Sequence, residues 1–328
     1  MCNMQNSFGQ KFVVTITGSS HGEFVGGNIR NCPKGLRVDY DLITKDLDRR
    51  RPQKYGTSRN EIDKVEFLSG ITNGKTDGSL IEFRIKNANV KTKDYTDFRG
   101  MFRPSHADYT YYIKFGNDSL DYKDNASARM FVPIVIAGSF AKMLLKPRGV
   151  EFSAYVTEIA GIDYLKHKIK VSKLLEEVYL NGDTLGGKVR CEIKGIPVGL
   201  GEPIFNKISA QLAKAMMSIP SAVSFSLGDI ENRDKILGSK DIDEWDIDFT
   251  TTTNHSGGIN AGITNGMPII FNLGLHPVHT LRKDMTLLTK DGNLVTRTIA
   301  GRHDVCQVLR TPVIVENLAA ILIADLMI

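Results

Sequence analysis

Tryptophan and cysteine are both scarce: the 328 residues hold one Trp and four Cys. The cysteines, Cys2, Cys32, Cys191 and Cys306, stand far apart. They form no CxxC pair and no disulfide framework, a usage that fits free thiols in a reducing compartment. No HExxH or HxxxH occurs, so no metal site is expected. No GxGxxG follows a strand-like run, which argues against a Rossmann dinucleotide site. No apolar run approaches the roughly 18 residues that a bilayer crossing needs. Met1–Ser7 has neither a basic nor an apolar leader region, so neither a membrane anchor nor a secretion signal is expected, and the expected location is cytoplasmic. Positive charge is present but not blocked. The net charge is +5 and the pI about 8.9, yet basic residues run together only at Arg49–Arg51. That speaks against a nucleic-acid partner and suits a pocket for a small, multiply charged anion.

What is present is the composition of a globular protein, 41% hydrophobic and 24% charged. Lys11–Thr17, Phe24–Arg30, Val65–Gly70 and Ser79–Lys86 read as strands. Asp41–Arg51 reads as a helix stopped before Pro52, and Phe131–Leu145 as a largely apolar, buried helix. Residues 87–126 read as mostly irregular, a length that points to function. The second half repeats this order. Ile196-Pro197-Val198-Gly199-Leu200 matches the turn at 33–36, and a helix at Asn206–Ile219 follows with Ile208, Leu212, Ala215, Met216 and Ile219 at helical spacing. Gly262-Ile263-Thr264-Asn265-Gly266 repeats Gly70–Gly74 letter for letter, and Pro312-Val313-Ile314-Val315 opens another apolar helix. Short strands that neighbour one another predict an α+β fold with antiparallel sheet. The repeated order predicts an internal duplication, about 1–147 and 148–328, fused into one domain over 1–328.

Polar chemistry concentrates in loops. Arg103-Pro104-Ser105-His106-Ala107-Asp108 is followed by Lys114, Ser127 and Arg129, with no helical or strand period among them. Gly18-Ser19-Ser20-His21-Gly22 closes the first strand; it lacks GxSxG spacing, so a proton donor fits better than a serine nucleophile. Arg49–Arg51, Lys54 and Arg59 follow the first helix. Gly301-Arg302-His303-Asp304 precedes the last helix, and Thr253-Asn254-His255-Ser256-Gly257-Gly258 lies between. A solvated loop would explain any one of these alone. Several arginines with two or three histidines suit a ligand carrying a phosphate and carboxylates that also needs a proton moved.

In this order the clusters resemble the chorismate synthase family. The resemblance runs from Ser7-Phe8-Gly9-Gln10 through the Gly18–Gly22 signature, Asp46–Arg51, Leu68–Gly70, Arg103–Asp108, Ser127–Arg129, Gly199–Pro203 and Asn254–Gly258 to Gly301–Asp304. It implies a β-α-β sandwich, with antiparallel sheets around helices, assembled as a homotetramer. It implies anti-1,4-elimination of phosphate from 5-enolpyruvylshikimate 3-phosphate to give chorismate, the last step of the shikimate pathway toward aromatic amino acids. Reduced FMN would be required without net redox change. His21 would protonate the departing phosphate, His106 would serve the reduced flavin near N1, and Asp304 would join a proton relay near N5. Arg50, Arg59, Arg103, Arg129 and Arg302 would hold phosphate and carboxylates. Ser127, Ala128, Asn254, His276, Thr280 and His303 would contact the cofactor. Some relatives reduce their own flavin with NADPH; with no nicotinamide motif here, an external flavin reductase is expected. The chain departs from the family pattern at Met130, where glutamate is usual, at His276, where lysine is usual, at Val305, and in the short loop after Arg51. A catalytically impaired relative that binds ligand without turnover is the alternative these departures would suit.

Overall fold

The computed structural model describes residues 6–51, 54–55, 62–88, 100–116, 126–229, 233–298 and 304–328. Two five-stranded sheets form its frame, and every pairing in them is antiparallel. The first contains β1 (Ser7–Phe8), β2 (Val13–Gly18), β3 (Phe24–Arg30), β4 (Val65–Ser69) and β7 (Ile81–Lys86), in the order β1-β2-β3-β7-β4. The second contains β9 (Glu151–Ile159), β10 (Ile162–Asp163), β11 (Gly187–Lys194), β12 (Ala222–Leu227) and β15 (Ile269–Leu275), in the order β10-β9-β11-β15-β12. Four strands correspond, β2-β3-β7-β4 with β9-β11-β15-β12; the edge strand differs, since β1 precedes its neighbour β2 in the chain whereas β10 follows β9. Period-2 patterning explains the central strands: Ile81, Phe83 and Ile85 are buried on β7, and Val189, Cys191 and Ile193 on β11.

A hairpin interrupts each sheet at the same place. β5 (Ile71–Thr72) pairs with β6 (Lys75–Thr76), and β13 (Ile259–Asn260) with β14 (Ile263–Thr264). Thr76 and Thr264 bind their preceding turns identically. Thr76 Oγ1 donates to Pro33 O at 2.6 Å and accepts from Leu36 N at 3.0 Å. Thr264 Oγ1 donates to Pro197 O at 2.7 Å and accepts from Leu200 N at 2.9 Å. The repeated pentapeptides, however, do not occupy equivalent places. Gly70–Gly74 supplies a first strand and its turn, with Asn73 and Gly74 left-handed; the corresponding turn in the second hairpin is Ala261-Gly262. Gly262–Gly266 therefore sits four residues later. Letter identity misaligns the two, because a left-handed turn followed by a threonine is what both hairpins need, not a particular pentapeptide.

Helix α1 (Tyr40–Arg49) starts at Asp39, whose carboxylate accepts from Leu42 N at 2.9 Å, and buries Ile43, Asp46 and Leu47. The short α2 (Asp108–Phe115) and the two-residue β8 (Met101–Phe102) fall inside the segment expected to be irregular. Tyr109 and Ile113 on α2 are exposed, so no apolar stripe advertises that helix. β8 joins β16 (Asp284–Thr289) and β17 (Leu294–Thr298) in a third sheet. Further along the described chain lie helices α4 (Lys168–Leu180) and α5 (Ile208–Met217) and the single-turn α6 (Gly238–Asp241).

The core lies around two apolar helices, α3 (Val132–Leu145) and α7 (Thr311–Met327). Each follows a short 3-10 turn and carries proline in its first turn. α3 packs on β2 and β3, α7 on β9 and β11, and the helices pack on each other. The expectation that no stretch is long and apolar enough to cross a membrane is corrected: 128–148 and 307–327 both meet that test, but both are mostly buried inside the protein. Polar residues break up the apolar letters of each stretch, which hid their length in the sequence. At the helix crossing the backbones nearly touch, and a Cβ on Gly138 would lie 2.3 Å from Asn317 Cβ.

Beside that crossing is a buried polar network. Glu316 accepts from Arg49 Nη1 and Nη2 at 2.6 and 2.7 Å, from Lys142 Nζ at 3.1 Å and from Ala154 N at 2.8 Å. Asp46 accepts from Lys142 Nζ at 2.8 Å, Asn317 Nδ2 at 3.1 Å and Ser139 Oγ at 3.2 Å. Burial opposes charge on Glu316, but the hydrogen bonds from Arg49 and the nearby Lys142 hold its carboxyl below the usual range.

Candidate active site

Three consecutive arginines end α1, and they part company. Arg49 turns into the buried network, and Arg51 pairs with the exposed Asp48 at 3.1 Å. Arg50 is buried; it donates to Ala128 O at 2.8 Å and lies 3.5 Å from Asp63. The other oxygen of Asp63 accepts from Arg129 Nη1. One carboxylate thus holds two guanidiniums side by side.

Arg129 extends the chain of contacts. Its Nε donates to Asn87 Oδ1 at 3.0 Å, and Asn87 Nδ2 donates to Ser19 O at 3.0 Å and Gly22 O at 2.9 Å. The Gly18–Gly22 loop is therefore pinned to the same arginine. Within it, Ser19 Oγ accepts from Gly22 N at 2.8 Å, and the buried Ser20 hydroxyl lies 3.0 Å from His21 Nδ1. Ser127 Oγ accepts from Arg129 N at 3.2 Å, opening the turn that leads into α3. His21, Arg50, Ser127, Ala128 and Arg129 are thus gathered in one place.

A second group forms around Asp108. Arg103 Nε and Nη2 donate to its two oxygens at 2.7 and 2.8 Å, and Arg103 N to Oδ2 at 3.0 Å. Burial would raise the Asp108 pKa, but the hydrogen bonds from the Arg103 fork hold it far below the usual carboxylate range. His106 Nδ1 is 2.9 Å from Arg103 Nη2 and 3.2 Å from Asp108 Oδ1. Arg103 Nη1 reaches Thr280 Oγ1 at 3.3 Å. Next to it, His279 Nδ1 lies 2.7 Å from Ser105 O, and the His276 and His279 rings stack with centroids 4.1 Å apart. Arg103, His106, His276 and Thr280 are so brought together.

Asp304 accepts from Arg310 Nη2 at 3.0 Å at the entrance to α7. The loop after Arg51 meets it there, since Cys306 N donates to Tyr55 O at 3.2 Å. Asn254 uses both ends of its amide on backbone: Nδ2 donates to Pro268 O at 2.8 Å and Oδ1 accepts from Gly258 N at 2.7 Å. In this structure its side chain shapes the glycine turn. Arg59, Arg302 and His303 lie outside the described residues.

Sequence reasoning missed Asp63, Asn87 and Arg310 as partners, and left Asp108 without a role. Asp63 and Asn87 sit at no motif spacing; only three-dimensional proximity marks them. Asp108 did stand in view, two residues after His106.

The chorismate synthase family model matches residues 12–328. The chorismate synthase of Christiangramia forsetii is 42% identical, covering 98% of this chain and 96% of its own length. That of Azobacteroides pseudotrichonymphae is 40% identical over 98% of both chains. A solved structure titled as a crystal structure of chorismate synthase superposes with a TM-score of 0.75, covering 97% of this chain and 92% of its own, at 23% identity, and shows the same fold. With these matches the conclusion is plain: the chain belongs to the chorismate synthase family.

Proposed function

We propose that this chain is a carbon–oxygen lyase that eliminates phosphate from 5-enolpyruvylshikimate 3-phosphate to give chorismate, in the presence of reduced FMN. The observation that carries the reading is the run of hydrogen bonds Ser19–Asn87–Arg129–Asp63, which ties the His21 loop to two buried arginines. Arg50 and Arg129 bind the anionic groups of the substrate, and Arg59 and Arg302 add to them. His21 gives its proton to the departing phosphate. Asp304, next to Arg310, serves the proton relay.

The donors fit a flavin mononucleotide: guanidinium, imidazole and hydroxyl groups converge around Arg103, His106 and Thr280, beside a flat pair of histidine rings. Ser127, Ala128, His276, Thr280 and His303 would hold it, with Asn254 shaping its turn. When bound, reduced FMN supplies transient electron density that helps the carbon–oxygen bond break, with no net redox change. An external flavin reductase supplies the reduced form in the cytoplasm. Assembly into a homotetramer belongs to the same reading. The matching order of four strands in each sheet and the Thr76 and Thr264 brackets support a duplication within one β-α-β sandwich domain over 1–328.

The alternative, a relative that binds without turnover, is not favoured, since identity is 42% over 98% of the chain and His21, His106 and Asp304 are all present. The test is an anaerobic assay with the phosphorylated substrate and chemically reduced FMN, following chorismate absorbance and phosphate release together. Turnover that disappears in His106→Ala and Asp304→Asn is expected. Binding of both ligands without turnover in the unaltered protein would favour the alternative.

A further inference from the structure

Arg103 was expected to clamp substrate, but its described hydrogen bonds run to Asp108, His106 and Thr280. A guanidinium is always a donor. At 2.9 Å from Arg103 Nη2, His106 Nδ1 must present its lone pair. The fork to Asp108 uses Nε and Nη2, and Nη2 also lies within hydrogen-bond reach of His106 Nδ1. Asp108 is nearly inaccessible, so it holds the guanidinium in a fixed plane. We infer that Arg103 and Asp108 are positioning residues that keep His106 in the neutral tautomer with its proton on Nε2.

The consequence is directional. In a neutral imidazole one nitrogen donates and the other accepts. With Nδ1 accepting from Arg103, Nε2–H becomes a donor on the ring edge away from Asp108, available to an electron-rich group of a ligand. Asp108 Oδ1, 3.2 Å from Nδ1, is the standby acceptor. If Arg103 is removed, the nearest described partner of Nδ1 is a carboxylate, and the proton moves to Nδ1. The inference deepens the proposed function, in which His106 serves the flavin, but its test needs neither flavin nor turnover.

The experiment is nitrogen NMR of the ligand-free protein labelled at histidine, with the His106 signals assigned by their loss in His106→Gln. At neutral pH an unprotonated Nδ1 and a protonated Nε2 are expected. In Arg103→Ala, Nδ1 is expected to become protonated; in Arg103→Lys, which keeps charge and a donor, Nδ1 is expected to remain largely unprotonated. A protonated Nδ1 in the unaltered protein overturns the inference, and that measurement stands even if Arg103→Ala does not fold. Retention of the unprotonated Nδ1 in a folded Arg103→Ala also overturns it. Turnover with the wrong tautomer would sink this inference and leave the lyase reading intact; the expected tautomer without turnover would do the reverse.

Discussion

Arg49 lays both terminal guanidinium nitrogens across Glu316, at 2.6 and 2.7 Å, although the two residues are 267 positions apart in the chain. The pair joins the end of α1 to the middle of α7, and Lys142 closes it from α3. Since Arg50 follows directly, the network also fixes where that buried arginine stands.

Removing one partner should expose that dependence. Glu316→Ala leaves Lys142 and Arg49 facing a buried gap and is expected to cost about 3–5 kcal/mol of stability. Urea unfolding monitored by circular dichroism would measure it. A loss within 1 kcal/mol, on the order of a surface pair, would mean that the network is dispensable.

Gly138 is expected to tolerate no side chain. Gly138→Ala places a Cβ 2.3 Å from Asn317 Cβ, and the helices must separate, at about 1–3 kcal/mol for overpacking. Asn317 Cα and O lie 2.5 Å from the same point, so Asn317→Gly is expected not to rescue it. Urea unfolding that shows no loss of stability in Gly138→Ala would contradict the close approach.

Thr76→Val and Thr264→Val each remove a hydroxyl that joins a hairpin to its turn. Both sites are buried, so each is expected to lose about 1–3 kcal/mol, and by similar amounts. A large effect at one and none at the other would argue against the equivalence of the two brackets.

Acid should weaken the protein through Asp108 and Glu316. Both carboxyls lie below their ordinary values in the folded state. Their contribution is therefore complete above the unfolded pKa, about 4, and is lost as pH falls through the folded values. Unfolding midpoints taken from pH 7 down to pH 3 should drop less steeply in Asp108→Asn than in the unaltered chain. Parallel curves would refute the assignment.

Asn87→Ala should affect rate more than binding. Asn87 touches the His21 loop and Arg129, so its loss misplaces the proposed proton donor, an effect on the order of 10²-fold in kcat. Steady-state kinetics with saturating reduced FMN would show it. A rise in KM alone would make Asn87 a binding residue.

Much of the frame was legible because its signals are local. Ile81, Phe83 and Ile85 alternate with charged residues, and Ile208, Leu212, Ala215 and Met216 recur at helical spacing; each pattern is the imprint of one buried face. The histidine and arginine loops were legible from their residue types. What was not legible depends on distant partners. Arg49 and Arg50 are indistinguishable as letters, yet neighbours on a helix point roughly 100° apart, so one enters the core and the other the site. Asp63 had no motif to announce it, and α2 had no buried stripe. Gly262–Gly266 misled because an identical pentapeptide served a different part of its hairpin.

The buried network bears on how the two halves came to depend on each other. Cut between 147 and 148, the first piece would keep Asp46, Arg49 and Lys142, two cations to one carboxylate; the second would keep Glu316 with neither cation. Neither piece would be charge-balanced in its own interior. If the halves began as copies of a free-standing protein, these charges act as a ratchet: once divided between the two, they made a return to separate chains costly.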